Sequence, residues 1–410
     1  MSTLTELEEA CPSRVRQGRG LDSIDGVTPG LVASPLGTGE VAAVMRVASS
    51  AGLSVVARGA GTKLDWGNPP ASADLMVDLS RMSRVIEHEA GDLVARVEAG
   101  TSLAQLTEVL GSKGQRFPVD EVVAGSTVGG VVSTGLSGPL RYMYGAVRDL
   151  VLGITVVRAD GVVAHAGSKV VKNVAGYDLA KLFTGSYGTL GIVTELALKL
   201  KPVPVARSFV VAAFPSPRDL TPFLSALLSC QAAPTAIEIE RTAPSLPVQM
   251  SVLIEGRPRS VELRAAEVAT LLGGGEPFVT PPPGWGQLPG PVTLKLTAVL
   301  SAVPSLVEQA SSIALKLGLP ARVTGSAGTG VLFMGLPDRV PPVVLAALVA
   351  DLRAVCDDLG GHAVVLRAAA ALKSQLDPWG PVPGIDLMRR IKESFDPDRR
   401  LAPGRFIGGI

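Results

Sequence analysis

Ala57-Arg58-Gly59-Ala60-Gly61-Thr62-Lys63 follows directly on the short apolar run Ser54–Arg58. A strand that breaks into glycines lets backbone approach a ligand closely, and successive free N–H groups there form a nest for an anion. A diphosphate is a natural guest, because hydrogen bonds to charged groups contribute roughly 1.5–3 kcal/mol each. The alternative is a plain tight turn. Leu64 stands where the third glycine of G-x-G-x-x-G belongs, so this is not the dinucleotide fingerprint, and the chain holds no Walker A motif. A nicotinamide-dependent dehydrogenase therefore loses its usual support.

Two further glycine-rich segments lie downstream. One is Gly125-Ser126-Thr127-Val128-Gly129-Gly130, continued by Gly135-Leu136-Ser137-Gly138-Pro139; the other is Gly185-Ser186-Tyr187-Gly188-Thr189-Leu190-Gly191. Three nests in one half of the chain suggest one long ligand threaded between two lobes; three unrelated turns are the alternative. Around them, Thr38–Ser50 carries Val41, Val44, Met45 and Ala48 at helical spacing, with Gly52 at the C-cap position. Leu75–Leu79 and Leu93–Glu98 read as strands, and Ser102–Ser112 as a helix capped by Thr101 or Ser102. Asp160-Gly161 between β-rich runs predicts a hairpin over Leu150–Ala166. Asp178–Phe183 reads as a short helix, and Gly191–Leu200 as a strand ending at Pro202 and Pro204.

Beyond those prolines the rhythm becomes strand, helix, strand: Phe209–Phe214, Asp219–Leu228, Ala236–Glu240, then Met250–Glu255, Val261–Leu272, Thr293–Leu296, then Ser305–Leu317 and Val331–Met334. This is an α+β pattern of ferredoxin-like type, with the Pro-rich Thr280–Pro291 as an exposed loop.

At 410 residues with 47% hydrophobic content the chain is too long for one ordinary core, so two domains are expected. Lys+Arg (38) and Asp+Glu (37) nearly cancel, which removes the argument for a nucleic-acid partner or a membrane surface. Cys11, Cys230 and Cys356 are isolated and form no cluster motif or disulfide framework, which fits a reducing cytoplasm. Met1–Glu8 lacks the apolar stretch of a signal peptide, and the uncharged run Val122–Leu140 is filled with Gly, Ser and Thr, as suits a backbone-lined loop rather than a membrane helix.

In order, Arg58-Gly59-Ala60-Gly61-Thr62, Ser126-Thr127-Val128-Gly129-Gly130, Tyr144-Gly145-x-x-Arg148-Asp149-x-Val151-Leu152-Gly153, Lys172-Asn173-Val174-Ala175-Gly176-Tyr177-Asp178-Leu179 and Gly185-Ser186-x-Gly188-Thr189-Leu190-Gly191 resemble the PCMH-type FAD-binding domain of the vanillyl-alcohol-oxidase superfamily. Gly135-Leu136-Ser137-Gly138-Pro139-Leu140-Arg141 resembles the E-subunit family of bacterial glycolate oxidases rather than the D-subunit family. So does the tail: Leu372-Lys373, Asp377-Pro378-Trp379-Gly380, Phe395-Asp396-Pro397 and Pro403-Gly404-Arg405-Phe406.

The resemblance implies an α+β fold with four parts: an N-terminal extension (1–28), a two-lobed FAD domain (29–205), a ferredoxin-like cap (206–380) and a tail (381–410) returning to the FAD domain. It implies that Arg58, Gly59, Ala60, Gly61 and Thr62 wrap the diphosphate. Pro118, Ser126, Thr127, Val128, Gly129, Gly130, Ser133 and Gly138 would line the flavin and ribityl, and Gly191, Ile192 and Val193 the adenosine side. Asp149 is either a cofactor ligand or a turn residue, and Lys172, Asn173 and Tyr177 are structural around the flavin. The implied activity is oxidation of glycolate or a similar 2-hydroxy acid, with a D-type FAD subunit and an iron–sulfur subunit as partners and any membrane association only peripheral, through a partner. Two rivals are a stand-alone FAD oxidase or dehydrogenase of another hydroxy acid or polyol, with Arg322, Arg367 or Lys373 as carboxylate anchors, and a non-catalytic assembly subunit.

The chain departs from the pattern in places. The first loop has no histidine, so FAD is expected to be non-covalent. Gly325-Ser326-Ala327-Gly328-Thr329-Gly330 lacks the Asp and His that related dehydrogenases carry there, and His362 stands alone in the second domain, so no metal site and no catalytic base can be named. Val131 and Ala402 replace asparagines, each losing a potential hydrogen bond to the flavin.

Overall fold

The computed structural model describes residues 2–168 and 178–410. The motif Lys172–Tyr177 lies outside them. The chain divides into two compact units: Met1–Leu136 with Ala146–Val203 and Pro381–Ile410, and Ser137–Gly145 with Pro204–Gly380.

The first unit holds two main sheets. In one, the order is Val15–Gln17, Leu31–Ala33, Leu75–Asp78, Val55–Arg58, and the last two pairings are parallel. Parallel neighbours need a crossover, and Thr38–Ser50 provides it, burying Val41, Ala42, Val44, Met45 and Ala48. Leu75–Asp78 runs through the middle of this sheet with all four residues buried. The other sheet is antiparallel, in the order Val85–Glu89, Val94–Glu98, Ile192–Lys199, Val151–Val157, Val163–Gly167. Asp160-Gly161 makes its hairpin turn, with Gly161 at φ +77°. The two sheets and their helices share one core that includes Val44, Leu75, Val97, Leu106, Val132 and Leu196.

The C-terminal segment belongs to this unit. Val55 bridges Leu401 in parallel, so the tail extends the edge of the first sheet. Lys392 and Asp396, 2% and 0% exposed at the side chain, fix the helix Ile385–Phe395. The Lys392 ammonium donates to Asp396 Oδ2 (2.6 Å), to the Thr189 carbonyl (2.8 Å) and to the Leu401 carbonyl (2.9 Å). Asp396 in turn accepts from the Arg400 and Leu401 N–H groups.

The second unit is one antiparallel sheet of eight strands: Glu276–Phe278, Ala206–Phe214, Val248–Gly256, Ala236–Arg241, Arg322–Ser326, Val331–Leu336, Val292–Thr297, Ala363–Arg367. Followed along the chain it is the same βαββαβ pattern twice. Residues 206–278 use the helices Leu220–Ser229 and Pro258–Leu271, and residues 292–367 use Val303–Lys316 and Pro342–Asp358. The halves join where Ala236–Arg241 pairs with Arg322–Ser326. The ferredoxin-like rhythm in the sequence is therefore doubled. The Pro-rich stretch is not simply exposed: Trp285 packs edge-on against Phe209, ring centres 5.0 Å apart, beside Leu140.

Candidate cofactor site

A cleft in the first unit is lined by Arg58–Leu64, Thr127, Gly129, Gly130, Ser133, Tyr187, Gly188, Gly191–Val193 and Arg405, among others. Three segments distant in sequence thus meet: the turn after Val55–Arg58, the helix Val128–Thr134, and the start of Ile192–Lys199.

The turn has the properties of an anion nest. Among the described residues, no protein acceptor takes the N–H groups of Gly59, Ala60, Gly61 or Thr62. Gly61 sits at φ +78°, where only glycine is unstrained, and a Cβ on Gly59 would lie 2.4 Å from Thr127 Oγ1. Unclaimed donors beside glycines that admit no side chain fit a dinucleotide whose diphosphate approaches the backbone closely.

The helix Val128–Thr134 contributes differently. Its first N–H groups are already bound: Val128 to the Thr101 carbonyl, Gly129 to the Ala99 carbonyl, and Gly130 to Thr127 Oγ1. Gly129 is required because a Cβ there would meet Ala99 Cβ at 2.7 Å. This segment is a close-packed wall of the cleft.

Arg58 is held from both sides. Its guanidinium donates to Asp22 Oδ1 at 2.9 Å and to Asp78 Oδ2. Burial works to lower its pKa, but the hydrogen bonds and negative charges of Asp78 and Asp22 together outweigh this and raise it. Asp22 also takes both terminal nitrogens of Arg16, at 2.6 and 2.7 Å. These bonds, Arg16 foremost, hold its carboxyl far below the usual carboxylate range against the opposing effect of burial. Arg58 thus locks the base of the turn while the following residues present their backbone.

The other residues singled out in the sequence are placed as follows. Ser126 is buried, and its hydroxyl donates to the Val123 carbonyl and accepts from Lys63 Nζ. Val128 is fully buried in the core. Pro118 is buried in the loop after Gln115–Arg116. Asp149 Oδ2 accepts from the Ala146 N–H, the turn arrangement. Gly138 lies in the second unit. His88 Nε2 bonds Gln115 Oε1 at 2.9 Å on the strand Val85–Glu89.

Three titratable side chains of the cleft were not among the site residues read from sequence. Lys63 is 7% exposed, and burial lowers its pKa to about 8 with Glu121 opposing. Arg405, 4% exposed, donates to the Leu64 and Trp66 carbonyls and so ties the tail to the turn. Tyr187 sits at φ +56° with its ring 5.6 Å from Phe406, and burial raises its hydroxyl pKa.

In the second unit, the turn Ala327–Gly330 links paired strands. Of the candidate carboxylate anchors, Arg322 is engaged by Glu240 at 2.8 Å, and Lys373 is buried, at 3% exposed. Among the described residues no helix is long and apolar enough to cross a membrane, and no group of three or more His, Cys, Asp or Glu side chains could hold a metal.

Comparison with known proteins agrees with this geometry. The FAD binding domain family matches residues 29–167, and the C-terminal domain of FAD linked oxidases matches residues 359–406. Glycolate oxidase subunit GlcD of Bacillus subtilis is 28% identical over 92% of this chain and 89% of its own. D-lactate dehydrogenase of Archaeoglobus fulgidus is 34% identical over 46% of this chain and 42% of its own. Glycolate oxidase subunit GlcE of Escherichia coli is 38% identical over 37% of this chain and 43% of its own. The solved 4-ethylphenol oxidase from Gulosibacter chungangensis shares the fold, with a TM-score of 0.74 at 18% identity over 98% of this chain and 96% of its own. Both matched segments are thus similar to those of FAD-linked oxidases, and the cofactor is FAD.

Proposed function

We propose that the chain is an E-type, FAD-carrying subunit of a complex that oxidises glycolate or a similar 2-hydroxy acid. The observation that carries the hydroxy-acid reading is the relative that spans 92% of the chain, glycolate oxidase subunit GlcD. The E-type assignment is supported by the Leu136-Ser137-Gly138-Pro139 segment, by the higher identity to GlcE over its shorter match, and by a turn at Gly325–Gly330 without Asp or His.

In this reading the FAD domain spans 29–205 and the cap 206–380. Gly59, Ala60, Gly61 and Thr62 hold the diphosphate through their N–H groups, and Arg58 fixes the turn. Thr127, Gly129, Gly130 and Ser133 form the opposite wall, with Ser126 behind it accepting from Lys63, and Gly191, Ile192 and Val193 close the adenosine side. Bound FAD supplies two-electron oxidation of the substrate carbon. The three cysteines are free and form no cluster motif, so electrons leave through an iron–sulfur partner, beside a D-type FAD subunit, in the cytoplasm.

The test is anaerobic titration of the purified chain with glycolate and D-lactate, alone and with its co-purifying partners. Bleaching of the flavin band by either acid is expected. No bleaching by either, alone or in the complex, refutes the hydroxy-acid reading. Acid precipitation of the same preparation should leave all flavin in the supernatant; yellow protein in the pellet refutes non-covalent binding.

A further inference from the structure

We propose that Lys63 supplies the positive charge that holds the FAD diphosphate, beside the backbone nest of Gly59–Thr62. Buried lysines are rare unless paired, because an ammonium removed from water without a partner is strongly disfavoured. Lys63 is 7% exposed, yet among the described residues no carboxylate lies within ion-pair distance of it. Its ammonium donates to two hydroxyls, Ser126 Oγ at 2.7 Å and Thr62 Oγ1 at 3.1 Å. It lies 6.0 Å from the centre of the Trp66 ring. The side chain is therefore fixed by neutral groups on the wall of the cleft, and a charge of opposite sign is what the arrangement lacks.

The nearest chain neighbours of Lys63 identify the guest. Thr62, Gly61, Ala60 and Gly59 line the same cleft with unclaimed N–H groups. Neutral amides orient an anion but do not balance its formal charge. Arg58 does not balance it either, because Asp22 and Asp78 already bracket its guanidinium. A diphosphate seated on the nest gives Lys63 its counter-charge, and charge-assisted hydrogen bonds of this kind are about twice as strong as neutral ones.

The unliganded site has a titration signature. Burial brings the Lys63 pKa to about 8, and Glu121 opposes the shift. Arg58, Arg405 and Tyr187 are the other charged or titratable groups lining the cleft. A ligand that binds the protonated lysine preferentially loses affinity as pH rises above that value. The inference rests on FAD as the guest of the cleft and is independent of which hydroxy acid is oxidised.

The experiment measures FAD and riboflavin binding to the apoprotein by flavin fluorescence from neutral to alkaline pH. It compares wild type, Lys63→Met, Lys63→Gln and Lys63→Arg, and records melting of each apoprotein. Wild type should lose FAD affinity above about pH 8. The Met and Gln variants should bind FAD about tenfold or more weaker at neutral pH, without the pH break, while riboflavin binding is unchanged. Their apoproteins should melt no lower than wild type, since the change removes a desolvated charge. The Arg variant should keep FAD affinity and lose the break. FAD binding by the Met and Gln variants within about twofold of wild type overturns the proposal. So does an equal loss of riboflavin, which places the lysine at the ring, or a matching fall in apoprotein melting, which makes it merely structural. A wild-type chain that takes up no FAD at any pH overturns the cofactor reading of the cleft as well.

Discussion

Lys392→Met removes the cation from a pair whose members are 2% and 0% exposed. Burial lowers the Lys392 pKa, and the hydrogen bond to Asp396 works against this, so the ammonium is retained by its partner. The substitution leaves the Asp396 carboxylate buried with only the Arg400 and Leu401 N–H groups as donors, and it strips the Thr189 and Leu401 carbonyls of theirs. Removing one member of a buried pair typically costs about 3–5 kcal/mol. For a unit of this size that is a fall in melting temperature on the order of 10 °C. Thermal unfolding of the apoprotein followed by circular dichroism measures it. Because Thr189 sits two residues before Gly191, FAD affinity should fall along with stability. Replacing both residues, Lys392→Met with Asp396→Leu, should recover part of the loss, since an apolar pair of similar volume avoids a stranded charge. A single variant that melts within about 2 °C of wild type, or a double variant worse than the single, would refute the reasoning.

Gly59→Ala should weaken FAD by about tenfold or more while lowering stability by only about 1–3 kcal/mol, because its Cβ drives Thr127 Oγ1 out of position at 2.4 Å; unchanged affinity in equilibrium titration would contradict the nest. Asp22→Asn should cost about 1.5–3 kcal/mol at neutral pH, since Asp22 accepts charged hydrogen bonds from Arg16 and Arg58. The folded pKa of Asp22 is depressed, so its stabilisation is complete above about pH 4 and fades as pH falls through the folded value. Denaturant unfolding should therefore show the gap between wild type and variant narrowing in acid, and a gap of constant size would count against the ion-pair account.

Local signals in the sequence were informative where one residue type has one conformational use. Gly52 at φ +70° ends the helix Thr38–Ser50, Ser102 caps Leu103–Gly111 through the Gln105 N–H, and Gly161 turns the hairpin, each as the sequence indicates. Arg322–Ser326 was hidden because it runs into a glycine-rich turn, with Gly325 at φ +137° inside the strand. Pro342–Asp358 was missed because apolar residues cover most of its surface and blur the helical period, and the strand Ala363–Arg367 went with it. The doubling of the βαββαβ pattern depended on both. In the cleft, glycines identified the nest, since only the absence of a Cβ permits the approach. The role of the Arg58 side chain was not legible, because it is set by Asp22 and Asp78, and the pairing with Asp22 spans 36 residues. Lys63 escaped notice for a related reason: a lysine after a glycine turn reads as a surface charge until Ser126, 63 residues away, is seen to bury it.

The first unit is assembled from three stretches of chain, and its last stretch follows the whole second unit in sequence. During synthesis the residues that bridge Val55, cap the turn through Arg405 and clamp Thr189 leave the ribosome after everything they complete. The turn at Gly59–Thr62 therefore waits, without its Arg405 tie, while the second unit emerges. A chain released before Lys392 or Arg405 is made lacks the groups that close its cofactor domain.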